Sequence, residues 1–348
     1  MNARIEKRLS DGESMSYDIK WHVLVTDIAW PSATLEADVL ARVGGELILA
    51  ESGSEEELLR LVPQADAILT CWARVPGSVI RGGERLQVIG RYGIGVDNID
   101  VKEATRHGIL VTNVPAYCLD EVSDHAMALM LACARKVCHY NAAVHAGDWD
   151  INGGKPLFRL RGQTLGIVGF GKIGQTLAPK ARAFGMRVLA YDPYVDATRV
   201  QALSCEKAEL DALLKQADFI SIHAPLADNT RGMINGARLR TMKPTAFIIN
   251  TARGALIDQD ALVKALQERW IAGAALDVFV PERIPPDHPL LSLPNVIATP
   301  HVAFYSEESL RDLELQAAEN VAAVLSGRKP AHIVNPEVLS LHRWSHLS

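Results

Sequence analysis

Three side chains of complementary chemistry stand in the C-terminal half of this 348-residue chain. They are Arg253 within Asn250-Thr251-Ala252-Arg253-Gly254, Glu282, and His301 directly after Ala298-Thr299-Pro300. A guanidinium grips a planar carboxylate through two parallel hydrogen bonds. An imidazole gives or takes a proton near neutral pH, and a carboxylate beside it stabilises its charged form. Singly, each has a plainer reading: Arg253 as a solvated turn residue, Glu282 as loop charge, His301 as a capping or core histidine. Together they supply an anion anchor, an acid/base and its partner.

A second constellation supplies a place for a redox cofactor. Residues 165–174 read Leu-Gly-Ile-Val-Gly-Phe-Gly-Lys-Ile-Gly, a G-x-G-x-x-G that follows an apolar run and opens a helical pattern. In that context Gly169 allows the tight turn, Gly171 lets the main chain approach a pyrophosphate, and Gly174 lets helix and strand pack. Lys172 and Ile173 then lie at the helix N-terminus that faces the anion. Asp192 ends the next apolar run, 18 residues after Gly174, where a carboxylate accepts hydrogen bonds from ribose hydroxyls and repels a 2′-phosphate. With Pro193 and Tyr194 following and no basic neighbour in sequence, NAD is favoured over NADP. His223, in His223-Ala224-Pro225-Leu226, ends another run and lines the cofactor rather than a metal. No metal site is expected, because Cys133 and Cys138 lack a second pair. Gly93-Ile94-Gly95 has Asn98 where a third glycine belongs, so it is either a small anion nest or a plain glycine turn.

Elements at regular intervals must hold these groups. Short apolar runs at 23–26, 46–50, 67–71, 86–91 and 109–113 alternate with helical segments, one of them opening on the capping-box spacing of Ser54 and Glu57. A second series follows at 163–168, 187–192, 219–223, 246–250, 273–277 and 296–299. Between the two series, 120–145 carries a helical pattern without Gly or Pro, and 306–325 is amphipathic with Gly327 beyond its end. The expected class is α/β with two parallel sheets.

Composition narrows the function. Apolar residues make up 48% and charged residues 22%, and 36 Lys and Arg stand against 41 Asp and Glu for a net charge of −5. No basic run tracks a phosphate backbone, so nucleic acid is not an expected partner. Apolar stretches such as 126–134 fall short of the ~20 residues that span a bilayer, so no membrane insertion is expected. An odd count of five cysteines suits a reducing cytoplasm. The polar N-terminus lacks the apolar core of a signal peptide.

The motifs Arg91-Tyr-Gly-Ile-Gly-Val-Asp-Asn98, Asn113-Val-Pro115, the 169–174 loop, His223-Ala-Pro-Leu226, Asn250-Thr-Ala-Arg253, Gly273-Ala-Ala-Leu-Asp-Val278 and Thr299-Pro-His301 resemble the D-isomer-specific 2-hydroxyacid dehydrogenase family. The segment 302–308 looks most like its C-terminal-binding-protein branch and bacterial relatives, alongside the phosphoglycerate dehydrogenases. The resemblance implies a central Rossmann NAD-binding domain at 117–301, with its helical arm. It also implies a discontinuous flavodoxin-like substrate domain from 19–116 and 302–335, with a disordered tail at 1–18 and a further tail at 336–348. It implies that Arg253 binds the substrate, His301 protonates its oxygen and Glu282 holds His301. By the same resemblance, Thr251, Ala252, Asp277 and Pro225 are expected to contact the cofactor, and Arg91, Gly93, Ile94 and Gly95 to meet the substrate carboxylate. Phe304 is expected to border the substrate side chain, and the resemblance implies that the arm makes a homodimer contact. Three departures stand out: Pro281 precedes Glu282 instead of a proline following it, residues 123–125 read Ser-Asp-His, and the arginine that phosphoglycerate dehydrogenases carry near Thr70 to meet a phosphate is absent, leaving Arg74 as the first alternative cation. The leading expectation is a cytoplasmic enzyme interconverting a 2-oxo acid and a D-2-hydroxy acid. The alternatives are an NAD-dependent corepressor-like interaction protein and oxidation of phosphite or formate.

Overall fold

The computed structural model describes residues 4–8 and 14–347. The chain divides into two compact units, Met1–Tyr117 with Glu307–Ser348, and Cys118–Ser306. In the first, β1 (Arg4–Arg8) and β2 (Ser14–Asp18) pair antiparallel. This corrects the expectation of a disordered tail for those strand residues, whereas 1–3 and 9–13 lie outside the described residues. The runs β3 (Trp21–Val25), β4 (Gly45–Leu49), β5 (Ala67–Thr70), β6 (Val88–Arg91) and β7 (Leu110–Thr112) form a parallel sheet in the order β4-β3-β5-β6-β7. That is the flavodoxin-like order. Successive side chains alternate faces, so Val23, Leu69, Val88 and Leu110 pack against Leu313, Ala317 and Val321 of the helix Glu307–Leu325. Leu24, Ile68, Ile89 and Val111 meet Leu58, Val79 and Ile80 on the other side. Both faces are covered, which is why these strands read as unbroken apolar runs.

The expectation of a tail at 336–348 is also corrected for the described residues through 347. Val338, Trp344 and Leu347 join the core of the first unit, and Trp344 Nε1 donates to the Gly108 carbonyl at 2.8 Å. Asn335 leads into this segment, accepting from the Val111 amide at 2.8 Å and donating to the Ile109 carbonyl at 2.9 Å. The polar residues between these anchors hide them from a composition-based reading.

In the second unit, β8 (Thr164–Val168), β9 (Arg187–Tyr191), β10 (Glu206–Lys207), β11 (Phe219–Ile222), β12 (Phe247–Asn250), β13 (Gly273–Leu276) and β14 (Val296–Ala298) form one parallel sheet. The order is β10-β9-β8-β11-β12-β13-β14. The chain leaves β8 toward one edge and later returns to β11 on its other side, the switch point of a Rossmann sheet. The helical pattern of 120–145 proves to be two helices. Leu119–Arg135 buries Ala126, Leu129, Met130 and Cys133, then Lys136 turns left-handed at φ 53° and Val137–His145 buries nothing. The break follows the end of the apolar stripe and carries no Gly or Pro to announce it.

If 336–347 contributes to the core as its burial implies, Trp344→Ala should cost about 3–5 kcal/mol of unfolding free energy, measurable by urea denaturation. A loss below about 1 kcal/mol would return the segment to a tail.

Candidate active site

The functional residues of the second unit follow the strand order along the carboxyl edge of its sheet. The glycine loop follows β8, Asp192 follows β9, His223 follows β11, Thr251 to Arg253 follow β12, Asp277 and Glu282 follow β13, and His301 follows β14. Ligands of open α/β sheets lie beyond this edge, next to the switch point.

The loop after β8 is shaped for a dinucleotide. Gly169 has φ +92°, and a Cβ there would lie 2.4 Å from the Ala224 amide nitrogen. A Cβ on Gly171 would meet nothing within 4 Å, which leaves open space where a pyrophosphate approaches the helix Lys172–Ala183. Gly174 lies so close to the loop that a Cβ would come within 2.5 Å of the Gly169 carbonyl oxygen. Lys172 is exposed and Ile173 half-buried. Asp192 accepts from the Phe170 amide at 2.9 Å through Oδ2 and from the Tyr194 amide at 2.9 Å through Oδ1, so the acidic residue is fastened to the glycine loop. One cation escaped the sequence reading, since Lys207 Nζ reaches the Val195 carbonyl at 2.6 Å, on the loop that follows Asp192.

Further along the edge, His223 Nε2 pairs with Ser221 Oγ at 2.8 Å, and burial pushes its pKa down to about 4. The ring is therefore neutral at physiological pH. Among the described residues, His223 Nδ1 and Thr251 Oγ1 are buried polar atoms without a hydrogen-bond partner. Two orphaned groups at the ends of adjacent strands, with the open cradle at Gly171, fit a polar cofactor lying along this edge. Pro225 is exposed and Ala252 half-buried.

Asn250, which sequence reasoning overlooked, shapes the next turn. Fully buried, it accepts from the Ala252 amide at 3.0 Å and donates to the Arg253 carbonyl at 2.9 Å. Arg253 donates from Nη1 to the Ala252 carbonyl at 2.8 Å.

His301 is held in a conformation that a histidine rarely adopts. Its φ is +54°, a left-handed position that costs a non-glycine residue about 1–3 kcal/mol. Asp277, with no exposed surface, supplies the restraint. Its carbonyl accepts from the His301 amide at 2.8 Å, its Oδ1 from the Val302 amide and Thr299 Oγ1 at 2.9 and 2.5 Å, and its Oδ2 from the Ala303 amide at 2.9 Å. Thr299 spends its proton on Asp277, so His125 Nε2, 3.1 Å from Thr299 Oγ1, must be the donor. Asp277, which the resemblance gives to the cofactor, directs these hydrogen bonds to the His301 turn. Glu282 Oε1 pairs with His301 Nδ1, leaving Nε2 as the imidazole's other nitrogen. His301 is 18% exposed and Glu282 46%. Phe304 stands edge-on to His301, with ring centroids 6.2 Å apart.

The first unit is described by itself. Arg91, buried, donates from Nε to Asn98 Oδ1 at 3.1 Å and from Nη1 to the Tyr92 carbonyl. Gly93 has φ +145°, and a Cβ there would lie 2.9 Å from the Arg91 guanidinium. Asn113 Nδ2 donates to the Ile94 carbonyl at 2.8 Å, and Gly95 is half-buried beside it. Among the described residues, no cluster of His, Cys, Asp and Glu is arranged to hold a metal ion.

Comparison with known proteins agrees with this arrangement. Residues 127–303 match the model of the D-isomer specific 2-hydroxyacid dehydrogenase NAD-binding domain. A glyoxylate reductase of Korarchaeum cryptofilum is 42% identical over 293 residues, 83% of this chain and 88% of that one. A D-3-phosphoglycerate dehydrogenase of Methanocaldococcus jannaschii is 41% identical over 315 residues, 90% of this chain but 59% of its own length. The Aquifex aeolicus D-lactate dehydrogenase solved with NAD and lactic acid has a TM-score of 0.82 and 28% identity, covering 90% of this chain and 99% of that one. The chain belongs to the D-isomer specific 2-hydroxyacid dehydrogenases. It is an NAD-dependent oxidoreductase that transfers hydride between the nicotinamide and a 2-oxo or 2-hydroxy acid, and a corepressor-like role is not favoured.

Removing the Asp277 carboxylate would orphan two amides and a hydroxyl and release the strained turn. Asp277→Ala should lower unfolding stability by about 3 kcal/mol and kcat by at least ~100-fold. Unchanged kcat in a folded variant would show that the turn does not depend on this carboxylate.

Proposed function

We propose that this enzyme reduces glyoxylate to glycolate, and other small, unphosphorylated 2-oxo acids to their D-2-hydroxy acids, with His301 as general acid. The observation that carries the reading is the Glu282–His301 pair at the ends of β13 and β14, beside Arg253 at the end of β12. When bound, NADH supplies the hydride to the carbonyl carbon. Arg253 clamps the carboxylate and draws electron density from the carbonyl oxygen. His301 gives the oxygen its proton, and Glu282 stabilises the imidazolium until the proton leaves. The reverse reaction uses neutral His301 as base.

The cofactor contacts in this reading come from Gly169, Gly171, Lys172, Ile173, Gly174, Asp192, His223, Pro225, Thr251, Ala252 and Asp277. Arg91 and the amides of Gly93, Ile94 and Gly95 meet the substrate carboxylate, and Phe304 borders its side chain. The loop after β5 carries Trp72 and Ala73, whose amides, with that of Cys71, are taken by the Asp27 carboxylate at 2.6–3.1 Å. An anion at this loop supports an unphosphorylated substrate. Glyoxylate reductases among the relatives support a small one.

A homodimer is part of the same reading. The segment after Lys136 presents Trp149 and Ile151 at 83% and 78% exposure, an apolar surface that favours cover by a second copy. Four of the five cysteines are buried and no disulfide joins any of them among the described residues, which suits a cytoplasmic setting. Among the described residues no helix is long and apolar enough to cross a membrane.

An NADH-oxidation screen over glyoxylate, pyruvate, hydroxypyruvate, longer 2-oxo acids and phosphohydroxypyruvate tests the proposal, run in parallel with NADPH. Glyoxylate should exceed phosphohydroxypyruvate by at least about tenfold in kcat/KM. NADH should outperform NADPH, and Asp192→Ala should narrow that gap. A preference for phosphohydroxypyruvate would overturn the substrate assignment, and equal use of NADPH by the wild type would overturn the role of Asp192.

A further inference from the structure

Behind the 91–95 loop, in the first unit, lies a buried acidic group that the reaction does not use. Glu36, on the helix Thr34–Ala41, has no exposed surface and accepts from Trp30 Nε1 at 3.1 Å through Oε1. Trp30 stands edge-on to Tyr92 with ring centroids 4.8 Å apart, and the Tyr92 hydroxyl lies alongside the Glu36 carboxyl. Among the described residues, neither Glu36 Oε2 nor Tyr92 Oη has a partner in hydrogen-bonding geometry, although both are buried. Glu314, 7% exposed on the helix Glu307–Leu325 that packs against Thr34–Ala41, lies within reach of the Glu36 charge, and its own charge reaches Tyr92. Cys71 faces Tyr92 from the end of β5. Arg91 faces Cys71, Asn98 and the Tyr92 carbonyl.

Two carboxyls buried on helices that pack together, neither paired with a cation among the described residues, cannot both stay ionised cheaply. We propose that Glu36 and Glu314 act as a carboxyl pair that carries one proton whenever the 91–95 loop is competent, holding Tyr92 and thereby the register of Arg91 and Gly93. Both are then positioning residues for binding the substrate carboxylate. This rests on the reading that the 91–95 loop meets that carboxylate.

The protonation of the pair gives the proposal a pH signature. Burial raises the Glu36 pKa, against its own backbone amide and its Tyr92 and Trp30 neighbours. Burial, then the charge of Glu36, pushes Glu314 up to about 7. A carboxyl with a raised pKa binds more protons folded than unfolded in the interval between its two pKa values. Unfolding free energy therefore falls as pH rises from the unfolded value near 4.5 through about 7. Above that interval the loop spends less time in register, which acts on KM more than on kcat.

The experiment measures glyoxylate KM, kcat, NADH affinity and urea midpoint from about pH 6 to about pH 9 for the wild type, Glu314→Gln, Glu36→Gln and Glu36→Ala. The glutamines keep the shape without the charge. Wild-type KM should rise roughly three- to tenfold more across the range than that of Glu314→Gln, as for a loop competent only part of the time. The wild-type urea midpoint should fall with pH while that of Glu314→Gln stays flatter, and NADH affinity should not follow either trend. Glu36→Gln should recover more substrate affinity than Glu36→Ala, so a poorly folding alanine variant does not decide the matter. Gly93→Ala separates the two readings. If it raises KM while wild type and Glu314→Gln share one KM profile, the carboxyl pair is refuted and the loop's role stands. If Gly93→Ala leaves KM unaltered, the loop does not meet the carboxylate and the positioning claim falls with it.

Discussion

A carboxylate with no exposed surface organises the reactive end of the second unit. Asp277 accepts the amides of Val302 and Ala303 and the hydroxyl of Thr299, and its carbonyl takes the amide of His301. Four hydrogen bonds on one residue are enough to offset the strain of a left-handed histidine. That backbone conformation lets the His301 ring meet Glu282 while the chain continues to Phe304. The neighbouring strand end is coupled to the same place by proximity, because a Cβ on Gly254 would lie 2.4 Å from the Phe279 carbonyl group. Arg253, Glu282 and His301 thus sit on turns fastened to consecutive strands, and precision comes from the sheet rather than from the loops.

The cofactor side is built by the same method with different chemistry. Asp192 is tied to the Phe170 amide, so the acidic group and the glycine loop move as one. His223 is kept neutral by burial, and among the described residues its Nδ1 and the Thr251 hydroxyl at the next strand end are buried without a hydrogen-bond partner. A neutral lining suits a cofactor whose nicotinamide gains positive charge as hydride departs, since another cation there would oppose binding of the oxidised form. Positive charge is instead placed at Arg253, the residue proposed to meet the substrate's carboxylate.

Much of this was legible in the residues because parallel strands buried on both faces read as apolar runs, and the G-x-G-x-x-G spacing has a mechanical reason at each glycine. The regions that were not legible share a physical cause. Glu206–Lys207 is too short and too polar to register as a strand, and the left-handed break at Lys136 uses no Gly or Pro. The 336–347 segment is anchored by isolated residues, Asn335, Val338 and Trp344, that form no periodic pattern. Asp277 was noticed for its motif, but its bonds to the His301 turn cross from one strand end to the next and leave no trace in local sequence. Glu36 and Glu314 were invisible for the same reason, being brought together from opposite ends of the chain.

The central claim, that the Asp277-held turn presents His301 as the proton donor, is tested most directly by single-turnover reduction of glyoxylate in His301→Ala. NADH affinity should be determined separately by fluorescence titration. The account predicts that NADH binds as in the wild type while the hydride-transfer rate falls by about 100 to 10,000-fold. A variant that binds NADH normally and retains more than about a tenth of the wild-type rate would contradict it.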